Sequence, residues 1–373
     1  MKLLFLDFDI PYLLKGTDYS HGGACVRQYA LAKGIIELGH QVGILTWKGA
    51  KEFVGTEVEF DLVETFPLNG GIRKLRWFYK RFPSLIRAVN GYNPDYLIQK
   101  SRGSYTGAIA FISDVLKIPF VYMATSNVDS DESRYKKNLN LIEQIAYKSG
   151  LKRARAIFSQ NSYQSRKFKK SYPQKNIFKI QNPYFLTEEL PEIKDCAKRK
   201  YVAWLGIYRY PKNLPALYKI VKKLPDIEFR IAGKSRKNLD KDTKSALNRL
   251  RKCENEKFVG YLRRTEIIPF LSSALALINT SHYEGFSNVF LESFAAGTPV
   301  ITTSRVDPDD IIANNKLGLV AKNYCEIPKL IISLKNSKDY NSMAHRCRDY
   351  VMKNHDPKVI AKKFIDSLKK IGY

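Results

Sequence analysis

Short apolar runs alternate with amphipathic stretches along this chain, and the alternation starts twice. Strand patterns fall at Leu3–Leu6, Val42–Leu45, Tyr96–Gln99, Pro119–Met123 and Ala156–Gln160, with an amphipathic stretch from Ala24 to Leu38 closed by Gly39–His40. Near Tyr201 the series begins again: Val202–Leu205, a helix near Leu214–Lys223, Glu228–Ala232, Lys257–Val259, a short helix over Thr265–Ser273, then Ala274–Thr280. Strand, helix, strand in this rhythm builds a parallel, doubly wound sheet. A chain of 373 residues has room for two such domains, each with its own core. The expected division is an N-terminal domain over 1–185, a linker over 186–200 within a stretch rich in Pro, Glu and Lys, a second domain over 201–355, and a C-terminal helix within 356–373.

The densest chemistry lies in Ser281–Thr303. Glu284 sits in the loop after a strand, Gly285 breaks the chain, and Ser287 is a good N-cap for a helix with apolar positions Val289, Phe290, Phe294 and Ala295. Gly297 and Pro299 stop that helix before the strand Val300–Thr302. Glu292 lies just over one turn into the helix, so both carboxylates can face a ligand at its N-terminus. The amides of Asn288 and Val289 point to the same place, which suits a phosphate. Hydroxyls held by carboxylates beside a phosphate held by amides describe a nucleotide-sugar. The plainer reading is a glutamate complementing the helix dipole, worth about 0.3–1 kcal/mol.

Taken whole, the string E-G-F-x-N-x-x-L-E-S-x-A-x-G-T-P-V-I from Glu284 to Ile301 resembles the signature of the retaining family 4 glycosyltransferases (glycosyl transferases group 1). The resemblance implies an α/β GT-B fold, two Rossmann-like doubly wound domains facing across a cleft. It is strongest from Tyr201 to Val320 and weak from about Lys48 to Lys152. It implies retaining transfer of a sugar from a UDP- or GDP-sugar donor to a hydroxyl of a glycan or lipid-linked acceptor. By the same resemblance Glu284, with the amides of Phe286 and Ser287, would hold the donor sugar, Glu292 the ribose, and Gly285 would lie in the donor site with them. The C-terminal helix would cross back to the first domain.

Other segments fit that picture. Gly22–Gly23, after His21 and before the first long helix, lets a ligand approach the backbone, and by resemblance lies beside the donor phosphate. It lacks the GxGxxG spacing, so hydride chemistry is not supported. Gly206 ends a strand, and Arg209 and Lys212 follow it, three apart, so both can reach one anion. In the family such a pair clamps the leaving diphosphate. Lys212 keeps the family's distance from the glycine, whereas Ile207 stands where the arginine is usual. Tyr261, closing Phe258–Val259–Gly260–Tyr261, resembles the segment that contacts the nucleobase.

Two acidic pairs suggest rival chemistries. Asp129–Ser130–Asp131 is a D-x-D that could hold a divalent metal, but the basic clamp and helix amides would do that electrostatic work, so no metal and no cofactor is expected. Asp7–Phe8–Asp9 matches the start of haloacid-dehalogenase-type phosphatases, but Ile10–Pro11 departs from their pattern.

The net charge of +27 calls for an anionic partner, and it is spread along the chain without any nucleic-acid-binding signature. It gathers most in Ile72–Arg87, which has six basic residues and no acid. Ile72, Leu75, Tyr79, Phe82 and Ile86 fall on one helical stripe, with Pro83 kinking or restarting the helix. One reading packs the stripe on the sheet and solvates the charges. The other docks Arg73, Lys74, Arg76, Trp77, Lys80 and Arg81 on an anionic membrane surface. Five scattered cysteines without metal spacing and an N-terminus interrupted by acids suit a cytoplasmic protein, peripheral on the inner face of the membrane if the second reading holds. The alternative of another class is a catalytically silent GT-B protein that binds membrane or nucleic acid.

Overall fold

Strands buried on both faces need continuous apolar side chains, and the runs in this chain supply them. The computed structural model describes residues 1–16, 22–72, 75–185, 189–235 and 238–372. Among these, one sheet contains β1 (Lys2–Leu6), β2 (Gln41–Thr46), β3 (Asp61–Glu64), β4 (Tyr96–Lys100), β5 (Phe120–Met123), β6 (Ala156–Ser159) and β7 (Asn176–Lys179). Its order is β3-β2-β1-β4-β5-β6-β7, with all pairs parallel. A second contains β8 (Tyr201–Leu205), β9 (Phe229–Ala232), β10 (Glu256–Gly260), β11 (Ala274–Ile278), β12 (Val300–Thr303) and β13 (Gly318–Ala321), in the order β10-β9-β8-β11-β12-β13. The direction of winding reverses between β1 and β4 in the first sheet and between β8 and β11 in the second.

The chain divides into two units, Met1–Pro183 with Asp356–Tyr373, and Tyr184–His355. The stretch expected as a linker, 186–200, counts with the second unit. Arg199 fastens it there: its buried guanidinium donates to the carbonyls of Ser272 (2.9 Å), Ala274 (3.1 Å) and Gly297 (2.8 Å) and to Thr298 Oγ1 (2.8 Å). The first unit is completed by the helix Pro357–Ile371, capped by Asp356, whose carboxylate accepts from the Val359 amide at 2.9 Å. Ile360, Phe364 and Leu368 enter the core, with the Phe364 ring 4.6 Å from that of Phe158. Against it the helix Gly23–Glu37 needs a glycine, because a Cβ on Gly34 would overlap the Pro357 carbonyl. No described helix is long and apolar enough to cross a membrane.

The basic segment is interrupted, as Pro83 suggested, but the break comes earlier than the proline. Trp77–Arg81 forms a π-turn that runs directly into the helix Phe82–Tyr92, with Pro83 in that helix's first turn, where its missing N–H is tolerated. The wider turn breaks the 3.6-residue register, and the apolar stripe does not reach the core: Ile72, Leu75 and Tyr79 are 66%, 55% and 53% exposed. Trp77 goes the other way, its ring 5.0 Å from Tyr105, and Arg81 lies over the rings of Phe66 (5.0 Å) and Trp77 (5.5 Å). Arg76, Lys80 and Arg81 are half-buried and not spread on the surface. Arg73 and Lys74 lie outside the described residues.

Candidate active site

In an open parallel sheet the crevice lies at the carboxyl ends of the strands where winding reverses, which in the second unit is the β8/β11 junction. β8 continues through Gly206 into the short turn Tyr210–Lys212, and β11 continues into Asn279–Glu284. Three bonds join these loops. Trp204 Nε1 donates to Thr280 Oγ1 (3.1 Å), Thr280 Oγ1 donates to the Lys212 carbonyl (2.8 Å), and the His282 amide donates to the Pro211 carbonyl (2.8 Å). Tyr324 adds a hydroxyl donated to the Ser281 carbonyl at 3.0 Å.

Within this frame Lys212 Nζ donates to Glu284 Oε1 at 2.6 Å, and Ser281 Oγ donates to the same oxygen at 2.8 Å. The side chains of Lys212 and Glu284 are only 11% and 17% exposed. Burial pushes the Glu284 carboxyl up, but the Lys212 ammonium, the Ser281 hydroxyl and the charge of Arg209 together hold it below its ordinary value. The lysine stem lies across Gly206, where a Cβ would come within 3.3 Å of Lys212 Cε and of the Trp204 ring. Gly233, at φ +145°, abuts the Gly206 carbonyl so closely that a Cβ would overlap it. Tyr261, just past β10, is 37% exposed and carries Lys234 Nζ 4.2 Å from its ring centre.

The helix Asn288–Ala295 is held by buried Phe290, Leu291, Phe294 and Ala295. Ser287 occupies the N-cap position with extended backbone (φ −80°, ψ 113°), but its hydroxyl makes no capping hydrogen bond, contrary to the role its residue type suggested. Glu292 projects from this helix into a cavity of about 150 Å³ lined also by Tyr184, Phe185, Arg264 and Ile268. Burial pushes its carboxyl up to about 7, with the charges of Arg264 and Lys212 pulling the other way. Lys212 therefore acts electrostatically on both glutamates of the motif. Ser281, Thr280 and Arg264 escaped the sequence reading; the first two lie beside the motif, while nothing distinguishes Arg264 among 63 Lys and Arg residues.

Residues 187–354, which contain every one of these groups except Tyr184 and Phe185, match the family described as glycosyl transferases group 1. The match covers somewhat less than half of the chain and falls within its second unit. A curated relative, the glycogen synthase of Mycobacterium tuberculosis, is 30% identical over 123 residues, 31% of this chain. That match spans only 28% of the glycogen synthase. Among solved structures, the sucrose-phosphate synthase of Thermosynechococcus elongatus superposes with a TM-score of 0.78 at 15% identity, covering 100% of this chain and 99% of that one. Anabaena HepE in complex with UDP and glucose gives 0.77 at 14% identity, covering 99% of each chain. At such identities the likeness concerns the fold, which is that of the GT-B glycosyltransferases.

The candidate residues in the first unit stand apart from the Lys212–Glu284 pair in the sequence and are built differently. Gly22 caps the helix Gly23–Glu37 and is exposed, with no protein atom within 4 Å of where a Cβ would stand; His21 lies outside the described residues. The D-x-D is taken up by the protein. Asp129 pairs with Arg102 at 2.7 Å and accepts from the amides of Thr125 (2.7 Å) and Ser126 (3.0 Å). Asp131 accepts from Ser133 Oγ (2.7 Å) and the Tyr163 hydroxyl (2.9 Å). Among the described residues no group of three or more His, Cys, Asp or Glu is arranged to hold a metal ion. Asp7 is buried against Lys100, and Asp9 is pushed up by burial and by Asp7.

Proposed function

We propose that this protein is a retaining glycosyltransferase that moves a sugar from a nucleoside diphosphate sugar to a hydroxyl of a glycan or lipid-linked acceptor. The observation that carries this reading is the buried Lys212–Glu284 pair at the reversal point of the second sheet, with Arg209 in electrostatic reach of it. Glu284 takes the donor sugar's hydroxyls, while Lys212, Arg209 and the amides of Asn288 and Val289 neutralise the diphosphate. Glu292 takes the ribose. The acceptor oxygen attacks the anomeric carbon on the face the diphosphate leaves. As the anomeric carbon–oxygen bond breaks, its electron pair passes to the diphosphate, which also receives the acceptor's proton. Catalysis in this scheme is preorganised charge stabilisation, strongest where charge develops. The family match over 187–354 and the UDP and UDP-glucose held by Anabaena HepE support a uridine donor.

Calorimetric titration against a panel of UDP- and GDP-sugars, followed by NMR of the product's anomeric configuration, tests the reading. Binding of a donor with retention at the anomeric carbon is expected; inversion, or indifference to every nucleotide, defeats it.

A second reading, contact with an anionic membrane, is supported by apolar side chains turned outward in the first unit. Leu141, Ile142 and Ile145 are 70%, 77% and 60% exposed at the head of the helix Leu141–Arg153, close in sequence to exposed Lys136 and Lys137. Such a surface inserts at the headgroup boundary while its cations meet lipid phosphates. Co-sedimentation with anionic but not neutral vesicles, fading at high salt, is the expected result. No disulfide joins the five cysteines, which supports a reducing cytoplasmic setting.

A further inference from the structure

We propose that the carboxyl edge of the first sheet carries a subsite for an anionic carbohydrate acceptor, its sugar ring against Trp77 and Tyr105 and its acidic group on Arg76 and Arg81. The proposal rests on the transferase reading and names the acceptor class that reading leaves open.

The winding reversal of this sheet lies between β1 and β4, and β1 delivers Asp7–Phe8–Asp9 to its carboxyl end. There the rings form a chain. Phe8 lies 5.7 Å from Phe66 and 5.3 Å from Tyr105, and Tyr105 lies 5.0 Å from Trp77. Phe8, Tyr105 and Trp77 are half-buried and are not among the residues of the first unit's buried core. Rigid rings with one wet edge suit the C–H faces of a sugar.

The cations at the same place lack counter-charges. Arg81 spends Nη2 on the Leu68 carbonyl (3.2 Å) and stacks on Phe66 and Trp77, but its buried Nε has no acceptor, and neither does the buried Nε of Arg76. No described carboxylate pairs with either guanidinium, whereas Arg102 and Arg153 in the same unit each have one. Both arginines act on the Tyr105 hydroxyl, drawing its pKa down against the larger effect of burial, so their charge is directed at the ring cluster. Buried donors without acceptors call for an explanation, and an incoming carboxylate or phosphate supplies one through the fork geometry that arginine offers. The π-turn Trp77–Arg81 puts one of these arginines on the tryptophan ring, and such turns recur at functional sites. Cations serving a bilayer would be extended on the surface; these are sunk among rings.

The test uses the full chain and three probes: a glucuronate-containing hyaluronan tetrasaccharide, glucose 6-phosphate and neutral maltotetraose. Binding is read by calorimetry and by tryptophan fluorescence, in which Trp77 is one of three tryptophans. At least one anionic probe should bind in a salt-sensitive way, and maltotetraose weakly or not at all. Arg76→Gln should weaken the anionic probe by about tenfold or more. Trp77→Phe should abolish the fluorescence response while leaving the melting temperature within a few degrees of wild type. UDP titration runs in parallel on every variant. UDP binding unchanged by Arg76→Gln, with the anionic probe lost, supports the proposal. Wild type that binds UDP but neither anionic probe overturns this inference alone. Wild type that binds no nucleoside diphosphate overturns the transferase reading, whatever the saccharides do. Equal affinity for maltotetraose, or Arg76→Gln releasing phosphatidylglycerol vesicles while keeping the tetrasaccharide, also refutes the subsite.

Discussion

Replacing Lys212 by methionine keeps the stem across Gly206 but removes the ammonium that meets Glu284 at 2.6 Å. Breaking a buried ion pair costs about 3–5 kcal/mol, mostly from the charge left behind. Here the stranded carboxylate keeps the Ser281 hydroxyl and the field of Arg209, and both side chains retain some exposure, so a loss of about 2–3 kcal/mol is expected. For a unit of this size that is a drop of roughly 4–10 °C in melting temperature. Adding Glu284→Gln should restore stability to within about 1 kcal/mol of wild type, a coupling of neighbours that a double-mutant cycle isolates.

The pH dependence has a definite sign. Because the Glu284 carboxyl is held below its ordinary value, the pair's contribution is complete above the unfolded carboxyl pKa and is lost as pH falls through the lowered folded value. In Lys212→Met burial is opposed only by Ser281 and Arg209, so that carboxyl rises and the mutant's deficit should shrink on acidification. Urea melts of the four proteins at pH 5 and pH 8 measure both effects. An equal penalty for Lys212→Met in the wild-type and Glu284→Gln backgrounds would refute the argument.

Glu292→Gln should raise stability by about 1–3 kcal/mol at pH 8 and change little at pH 5. A carboxyl raised to about 7 disfavours the folded state as pH climbs from its unfolded value through the folded one. If the carboxylate takes the ribose, UDP affinity in wild type should rise over the same interval and that rise should vanish in the variant; calorimetry at four pH values decides it. Transfer should survive excess EDTA, and activity lost on chelation and restored by manganese would reopen the question of a metal. Gly233→Ala should destabilise by about 2 kcal/mol or more, since φ +145° and the overlap with the Gly206 carbonyl act together; a melting temperature equal to wild type would show that the loops after β8 and β9 can part.

The central strands of both sheets stood out in the sequence because burial on two faces demands unbroken apolar runs such as Ala274–Ile278. β3, β7 and β13 did not. They lie at sheet edges with half-exposed side chains, and Asp61–Glu64 and Asn176–Lys179 have only two adjacent apolar residues each, too short a run to mark a strand. The junction of Lys212 with Glu284 could be expected because both follow central strands, but Ser281 and Arg264 owe their positions to tertiary packing that no local pattern announces. The basic segment failed for a different reason. Its stripe presupposes 3.6 residues per turn, and the π-turn at Trp77–Arg81 changes the period in the middle of it.

The helix Pro357–Ile371 has a consequence for how the protein is made. Tyr96 of β4 donates its hydroxyl to the carbonyls of Leu368 (3.2 Å) and Gly372 (2.5 Å), and Phe5 and Phe158 pack on Phe364. The first unit's core is thus closed by Phe364 and Leu368, more than two hundred positions downstream of Phe5, Tyr96 and Phe158. A ribosome must release the whole second unit, Tyr184–His355, before that closure is possible. The strands made before the second unit finish folding after it, and until the helix Pro357–Ile371 emerges one face of their sheet stays open to chaperones and proteases.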